Sequence, residues 1–194
     1  MKTKHLFIFV TLLTLCMPLL ASAEDAPTHF RLLIHDTEQF NEYVGLAGWV
    51  VVPNITTQPS QWLVVAGPKF FQENCWWEIM SGAIIQDGAA APLLDVRADF
   101  SVFKPLNFWV NLEWIDPTQG IKTSSFYSYF EGNYSLLKTF SVGFETENVH
   151  QSGDDILSIG PHIGMHLSAM NLIVAYQLHY RESNVVWLRA VLNF

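Results

Sequence analysis

His166 and Ser168, two positions apart, are the residues in this sequence whose types and spacing could perform nucleophilic chemistry. A serine hydroxyl becomes a nucleophile when a histidine base lies within hydrogen-bond reach, and residues at this spacing on a β-strand share one face. The simpler interpretation, which we favour, is that Ser168 lies in a turn next to an inward-facing His166 and takes no part in catalysis.

His162 and His166 are four positions apart, a spacing at which two histidines on a helix share one metal-binding face. Gly160, Pro161 and Gly164 disfavour a helix here, because neither residue type is tolerated well in a helix interior. On a strand the two histidines would lie about 13 Å apart at ~3.3 Å per residue, too far to hold one ion. The sequence therefore predicts neither a metal site nor a cofactor.

A third group of candidates consists of charged and polar side chains at alternate positions of apolar segments. Its members are Asp95, Arg97, Asp99, Glu113, Glu131, Glu145, His162 and Arg189. Such side chains cannot face lipid, so we expect them to point into an interior where they pair or are hydrated. Crowded carboxylates could supply a general acid, but we favour a salt-bridged plug in which the two arginines bridge the acids. No bulk channel is expected, because eight or ten strands leave room for little more than side chains.

The N-terminus has the three parts of a cleavable signal peptide. Lys2 and Lys4 are basic, residues 6–20 form an almost unbroken apolar run, and Ala21-Ser22-Ala23 is a small-x-small cleavage site. Without residues 1–23, eight basic residues remain against 18 acidic ones, a net charge of −10 with histidine neutral. This balance disfavours nucleic acid as a partner, and Cys75 as the remaining cysteine excludes an intramolecular disulfide.

After the signal, the hydrophobicity is divided into segments of about ten residues, the length that crosses a membrane as a β-strand. Strands are predicted at 46–53, 61–69, 76–85, 93–103, 106–115, 125–134, 138–147, 156–167, 171–180 and 185–194. We expect an all-β, antiparallel up-and-down barrel of about ten strands over 46–194, or eight strands with an N-terminal extension. Residues 24–45 are predicted to be a periplasmic lead-in, with a short helix over 36–43.

The segment 156–167 shows why a membrane barrel is favoured over a soluble one. One face is apolar, and the other is formed by Ser158, Gly160, His162, Gly164 and His166. In a soluble barrel the second face would meet water and be rich in Lys and Glu. Small and polar residues instead suit the crowded interior of a membrane barrel. A soluble barrel that binds a small apolar ligand is the alternative.

The last segment alternates apolar and mixed residues and stops on Phe194. In this it resembles the small Gram-negative outer-membrane β-barrel proteins, whose last strand typically ends in Phe. The resemblance implies an outer-membrane location, contact with outer-membrane lipid and lipopolysaccharide, and recognition of Phe194 by the barrel-assembly machinery. It also implies a periplasmic C-terminus, short inner turns and longer outer loops.

His166-Leu167-Ser168 resembles the His-x-Ser motif of outer-membrane lipid A deacylases. The resemblance implies His166 as base, Ser168 as nucleophile and Glu182 as the acid that orients the histidine. Two features depart from that family: Ala169 stands where the family has Asn, and two strands rather than one follow the motif. Counting strands back from the C-terminus also places Ser168 and Glu182 on opposite rims. We therefore predict a non-enzymatic barrel with a structural, surface-contact or envelope-partner role. A lipid-modifying hydrolase is the alternative.

Overall fold

The computed structural model describes residues 26–116, 125–151 and 154–194. The described residues form eleven strands: β1 (Thr28–Gln39), β2 (Val44–Val52), β3 (Trp62–Gln72), β4 (Cys75–Gln86), β5 (Ala89–Phe103), β6 (Leu106–Ile115), β7 (Ser125–Leu137), β8 (Phe140–Gln151), β9 (Asp154–His166), β10 (Met170–Tyr180) and β11 (Val185–Asn193). Each strand pairs with its neighbours in the chain, and β1 pairs with β11 to close the barrel. The predicted all-β, antiparallel barrel of about ten strands is confirmed. No helix in the described residues is long and apolar enough to span a membrane.

The structure corrects the sequence prediction at β1. Residues 28–39 were expected within a lead-in, with a helix over 36–43, but they form a barrel strand. Arg31 and His35 point inward and Leu32 and Ile34 outward, but the inward Leu33 interrupts the polar face of the strand. An odd number of strands must close with one parallel pair, and β1 with β11 is that pair, Arg31 lying opposite Arg189.

The two ends of the barrel differ in the lengths of their connections. At the end that holds the C-terminus, which we call the turn end, the strands are joined by 40–43, 73–74, 104–105, 138–139 and 167–169. At the opposite loop end the connections are 53–61, 87–88, 116–124, 152–153 and 181–184. The two nine-residue loops agree with the expectation that one end of the barrel has longer connections than the other. β1 begins at the loop end, opposite the end that holds the C-terminus.

The outside of the barrel is an apolar belt. Exposed members are Leu46, Val64, Ile79, Leu94, Leu112, Phe130, Phe144, Ile159, Ile163 and Val174. Exposed aromatic residues flank the belt, with Trp114, Phe126 and Tyr180 towards the loop end and Phe194 at the turn end. Phe140, an aromatic residue that begins β8 at the turn end, is half-buried. An apolar band between aromatic rims is the outer surface of a transmembrane barrel.

Candidate functional site

The interior of the barrel holds a cavity of about 1060 Å³. Its lining includes Gln58 and Glu182 at the loop end and Lys138 and Asn193 at the turn end. Between these ends it is lined by charged, amide and aromatic side chains from the inward faces of the strands. The interior is thus less completely filled than the sequence predicts, because eleven strands enclose more space than eight or ten.

One group of polar side chains lies around Arg189, and we call it the Arg189 cluster (Arg189, Glu145, Tyr129, Glu131 and His162). Arg189 donates hydrogen bonds from Nη1 to Glu145 Oε2 and to the Tyr129 hydroxyl, both at 2.6 Å. Tyr129 in turn donates to Glu131, and His162 Nδ1 lies 3.4 Å from Glu145 Oε2. Four residues predicted to lie in the lumen are therefore brought together, with a tyrosine hydroxyl at their centre.

Gly143 on β8 makes room for one member of this cluster. A Cβ atom at this position would lie 2.7 Å from His162 Nε2 and 1.9 Å from the carbonyl oxygen of Gly132. His162 Nε2 instead forms a hydrogen bond of 2.7 Å with Asn133 Oδ1. The small residues that alternate along β8 and β9 thus allow ring side chains to fill the interior.

A second arginine, Arg31, extends the Arg189 cluster towards the loop end. Its Nη2 lies 2.5 Å from Glu147 Oε1, and its Nε donates to the carbonyl oxygen of Pro53 at 3.0 Å. Gln177 Nε2 links the two acids of β8, donating to Glu145 at 2.7 Å and to Glu147 at 3.2 Å. The sequence analysis does not place Arg31 in the lumen, because it predicts a lead-in over residues 24–45.

The Arg97 cluster (Arg97, Asp95, Glu113, Asn111 and Trp49) joins the neighbouring strands β5 and β6 to Trp49 on β2, from which β3 and β4 separate them. Arg97 donates to Asp95 from Nε at 3.0 Å and from Nη2 at 2.7 Å, while Glu113 Oε1 is 3.7 Å from Nη2. The guanidinium carbon lies 4.2 Å from the ring centre of Trp49. The structure therefore pairs Arg97 with two of the acids that the sequence placed in the lumen.

A lysine and an acid that the sequence analysis did not single out form a third contact. Lys69 Nζ lies 2.8 Å from Glu78 Oε1, and Trp49 Nε1 donates to Glu78 Oε2 at 2.8 Å. His35 stacks on Trp49 at a ring-centre distance of 4.0 Å and lies 3.4 Å from Glu78. Asp99, the remaining predicted residue, accepts a hydrogen bond from Asn107 at 2.8 Å.

The described inward faces carry more acids than bases. The four bases among the buried and half-buried side chains are Arg31, Lys69, Arg97 and Arg189, and the seven acids are Glu78, Asp95, Asp99, Glu113, Glu131, Glu145 and Glu147. With histidine neutral, this interior has a net charge of −3. It is therefore suited to neutral or cationic solutes rather than to polyanions.

The catalytic alternative is not assembled. Ser168 is exposed in the turn between β9 and β10, while His166 points inward and is bonded to Ser141 at 2.8 Å and to Asn171 at 3.2 Å. Glu182 lies at the loop end, 3.5 Å from His179. Ser168 and His166 are thus not bonded to each other, and Glu182 is at the far end of the barrel from both.

Ser141, His166 and Asn171 do form a serine–histidine–amide chain. Ser141 has an exposed fraction of 0 % and is not among the residues that line the cavity, so a substrate carbonyl has no route to its hydroxyl. Its other neighbour is Asn133 Oδ1 at 3.4 Å. This chain therefore connects β8, β9 and β10 as a structural polar link.

Among the described residues, no three His, Cys, Asp or Glu side chains come together as a metal-binding group.

Comparison with known proteins identifies the fold and no family. No family model matches the chain, and no curated protein matches it. A solved structure of the KdgM porin in complex with disordered oligogalacturonate is 14% identical, with a TM-score of 0.53 over 79% of this chain and 85% of that chain. A second KdgM porin structure is 16% identical, with the same TM-score and coverage.

The chain has the fold of a porin. A closed barrel satisfies all backbone hydrogen bonds internally, which is why barrels with an apolar outer surface can cross membranes. The apolar belt and the porin fold agree with each other. The expectation of a small outer-membrane β-barrel is confirmed, and the outer membrane is the location of the protein. The predicted signal peptide, residues 1–23, lies outside the described residues.

Proposed function

We propose that this protein is a non-enzymatic, narrow porin that lets small hydrophilic solutes pass through its lumen. The observation that carries the proposal is the cavity of about 1060 Å³, which has polar lining residues at both ends of the barrel. A lipid-facing belt outside and a polar lining inside are the two surfaces that a membrane passage requires.

The ion-pair clusters define the size of solute that this lumen admits. The Arg189 and Arg97 clusters adjoin where β6 pairs with β7, since Asn111 lies opposite Tyr129. Trp109 lies between them, with ring centres 5.2 Å from Tyr129 and 6.4 Å from Trp49. These side chains narrow the middle of the barrel. A lumen narrowed in this way would admit small solutes, such as monosaccharides and short oligosaccharides, more readily than bulky ones.

The charge of the interior defines the class of solute. One of the similar porins is described with oligogalacturonate, which is a polyanion. Here the inward acids outnumber the inward bases by three, so a polyanion would be repelled. We therefore propose neutral or cationic solutes for this chain.

Liposome swelling with solutes of graded size tests the proposal. Vesicles that contain the refolded barrel should swell in glucose and sucrose faster than protein-free vesicles, and trigalacturonate should enter more slowly than sucrose. Asn111→Trp should slow the swelling because it narrows the lumen, whereas Leu112→Trp, on the lipid-facing side of the same strand, should not. Folded protein that leaves the vesicles impermeable would overturn the proposal and favour a surface-contact or envelope-partner role.

We also propose the lipid and assembly contacts that the resemblance to outer-membrane barrels implies. The apolar belt would contact lipid and lipopolysaccharide, and Phe194 would serve as the assembly signal. Phe194 is 78% exposed, and its backbone N–H donates to the carbonyl oxygen of His35 at 3.1 Å, which leaves the aromatic ring accessible to a partner.

A further inference from the structure

Of the eight buried side-chain polar atoms that lack hydrogen-bond partners among the described residues, two lie on the neighbouring strands β5 and β6. They are Nη1 of Arg97 and Oδ1 of Asn111, whose residues are only 1% and 4% exposed. Buried polar atoms are nearly always satisfied, since an unpaired one costs free energy. Arg97 and Asn111 lie opposite each other in the register of β5 and β6, and both line the cavity. An unpaired donor and an unpaired acceptor are therefore neighbours on one wall.

The remaining polar atoms of both side chains are already engaged. Asp95 occupies Nε and Nη2 of Arg97, and Glu113 accepts a hydrogen bond of 2.7 Å from Asn111 Nδ2. This second bond identifies the free amide atom as the oxygen, because a carboxylate can accept from the NH₂ group only. One N–H donor on β5 and one carbonyl acceptor on β6 are therefore left unpaired on residues that line the cavity.

An aromatic ring lies next to this pair. Trp109 is two positions before Asn111 on the same face of β6, is half-buried and lines the cavity. The guanidinium carbon of Arg97 is 5.9 Å from its ring centre. Trp49, the other nearby indole, is stacked against His35 and is only 5% exposed, whereas Trp109 contacts the edge of Tyr129 and is still half-buried at the cavity.

We propose that Arg97, Asn111 and Trp109 form a binding station for a neutral saccharide in the middle of the lumen. A pair of neighbouring hydroxyls can accept from Arg97 Nη1 and donate to Asn111 Oδ1, because each hydroxyl is both donor and acceptor. The apolar C–H face of the sugar ring would then lie against Trp109. The station rests on the proposed function, since a sugar must enter the lumen to reach it.

The charges around the station favour a neutral sugar over an acidic one. Asp95 already neutralises the guanidinium of Arg97 at 2.7 Å, and Glu113 lies 3.7 Å from the same nitrogen. A carboxylate on the ligand would therefore meet two acids and a single arginine. A uronic acid should bind more weakly than a neutral sugar of the same length.

Ligand-observed saturation-transfer NMR on the detergent-solubilised barrel tests the station, with maltotriose as the neutral probe and trigalacturonate as the acidic one. Maltotriose should bind, and Trp109→Leu and Asn111→Leu should each raise its Kd by ~10-fold or more. Trp114→Leu is the matched control, because Trp114 is on the same strand but is 50% exposed on the lipid side. Trigalacturonate should bind at least ~10-fold more weakly than maltotriose.

Three results would overturn the station: no maltotriose signal from folded protein, an unchanged Kd in both lumen variants, or tighter binding of trigalacturonate. The shift between folded and boiled protein on a gel establishes that each variant is folded. Glucose-driven liposome swelling separates this inference from the proposed function. Permeable vesicles without sugar binding refute the station alone, whereas sugar binding by an impermeable barrel refutes the passage alone.

Discussion

Arg189 and Glu145 meet inside the barrel: Nη1 of Arg189 on β11 lies 2.6 Å from Oε2 of Glu145 on β8, although β9 and β10 separate the two strands. Arg31 on β1 and Glu147 on β8 repeat the arrangement at 2.5 Å. Backbone pairing connects only neighbouring strands, so these ion pairs tie distant parts of the wall together. The packing of side chains in the lumen therefore depends on contacts between strands that are not neighbours in the barrel.

Replacing Arg189 by methionine should destabilise the barrel strongly. Glu145 is 1% exposed, and removal of one partner from a buried ion pair typically costs about 3–5 kcal/mol because the other charge is left uncompensated. Urea unfolding in lipid vesicles measures the change in the free energy of unfolding. The double variant Arg189→Met with Glu145→Gln should recover part of the loss. Arg181→Met, an exposed loop substitution, is the control, and equal losses in Arg189→Met and Arg181→Met would contradict the account.

Neutralising Glu113 should weaken the preference of the lumen for cations. Glu113→Gln changes the net charge of the interior from −3 towards −2, so cations are attracted less. The reversal potential of membranes containing the barrel, measured under a salt gradient, reports this preference. Glu42→Gln changes an exposed residue in the turn between β1 and β2 and should have a smaller effect. A larger effect from Glu42 than from Glu113 would place the selectivity outside the lumen.

An arginine in the middle of the apolar belt should cost far more than one at its edge. Phe130 lies near the centre of β7 and is 41% exposed, whereas Leu137 ends the same strand. Phe130→Arg should lower the free energy of unfolding in vesicles by about 2–4 kcal/mol, and Leu137→Arg by about 0–1 kcal/mol. Similar costs at the two positions would mean that the belt does not span the hydrocarbon core.

Expression of this protein should leave lipid A unchanged. Ser168 is exposed in a turn and is not bonded to His166, and the hydroxyl of Ser141 is fully buried. Mass spectrometry of lipid A from cells with and without the protein should give the same acyl pattern. Loss of an acyl chain with the wild-type protein that Ser168→Ala or Ser141→Ala abolishes would restore the hydrolase alternative.

Much of the fold could be predicted from the sequence, because alternation is visible wherever one face is uniformly apolar. The segment 156–167 illustrates this: Ser158 and His162 are buried as expected, and Ile159 and Ile163 are exposed on the outside. The sequence does not predict β1 because the inward Leu33 interrupts the alternation and residues 36–39 are polar on both faces. The partners of Arg31 and His35 on other strands explain why these two residues are tolerated inside.

The lumen could be predicted in composition but not in pairing. The sequence placed Arg97 and Arg189 among acids, yet it could not indicate that Arg97 contacts Asp95 and Glu113 while Arg189 contacts Glu145. Which acid each arginine contacts depends on strand register and on contacts across the barrel, and the pattern of a single strand contains neither. Trp109 and Asn111 were unremarkable for the same reason, since their significance comes from the position of Arg97 opposite them.

Single-channel recording in planar bilayers tests the central claim, that this outer-membrane barrel is a narrow passage for small hydrophilic solutes, most directly. Purified, refolded protein should insert and give discrete current steps, and the reversal potential under a salt gradient should show a preference for cations. Folded protein that inserts without current steps, or steps that prefer anions, would contradict the account.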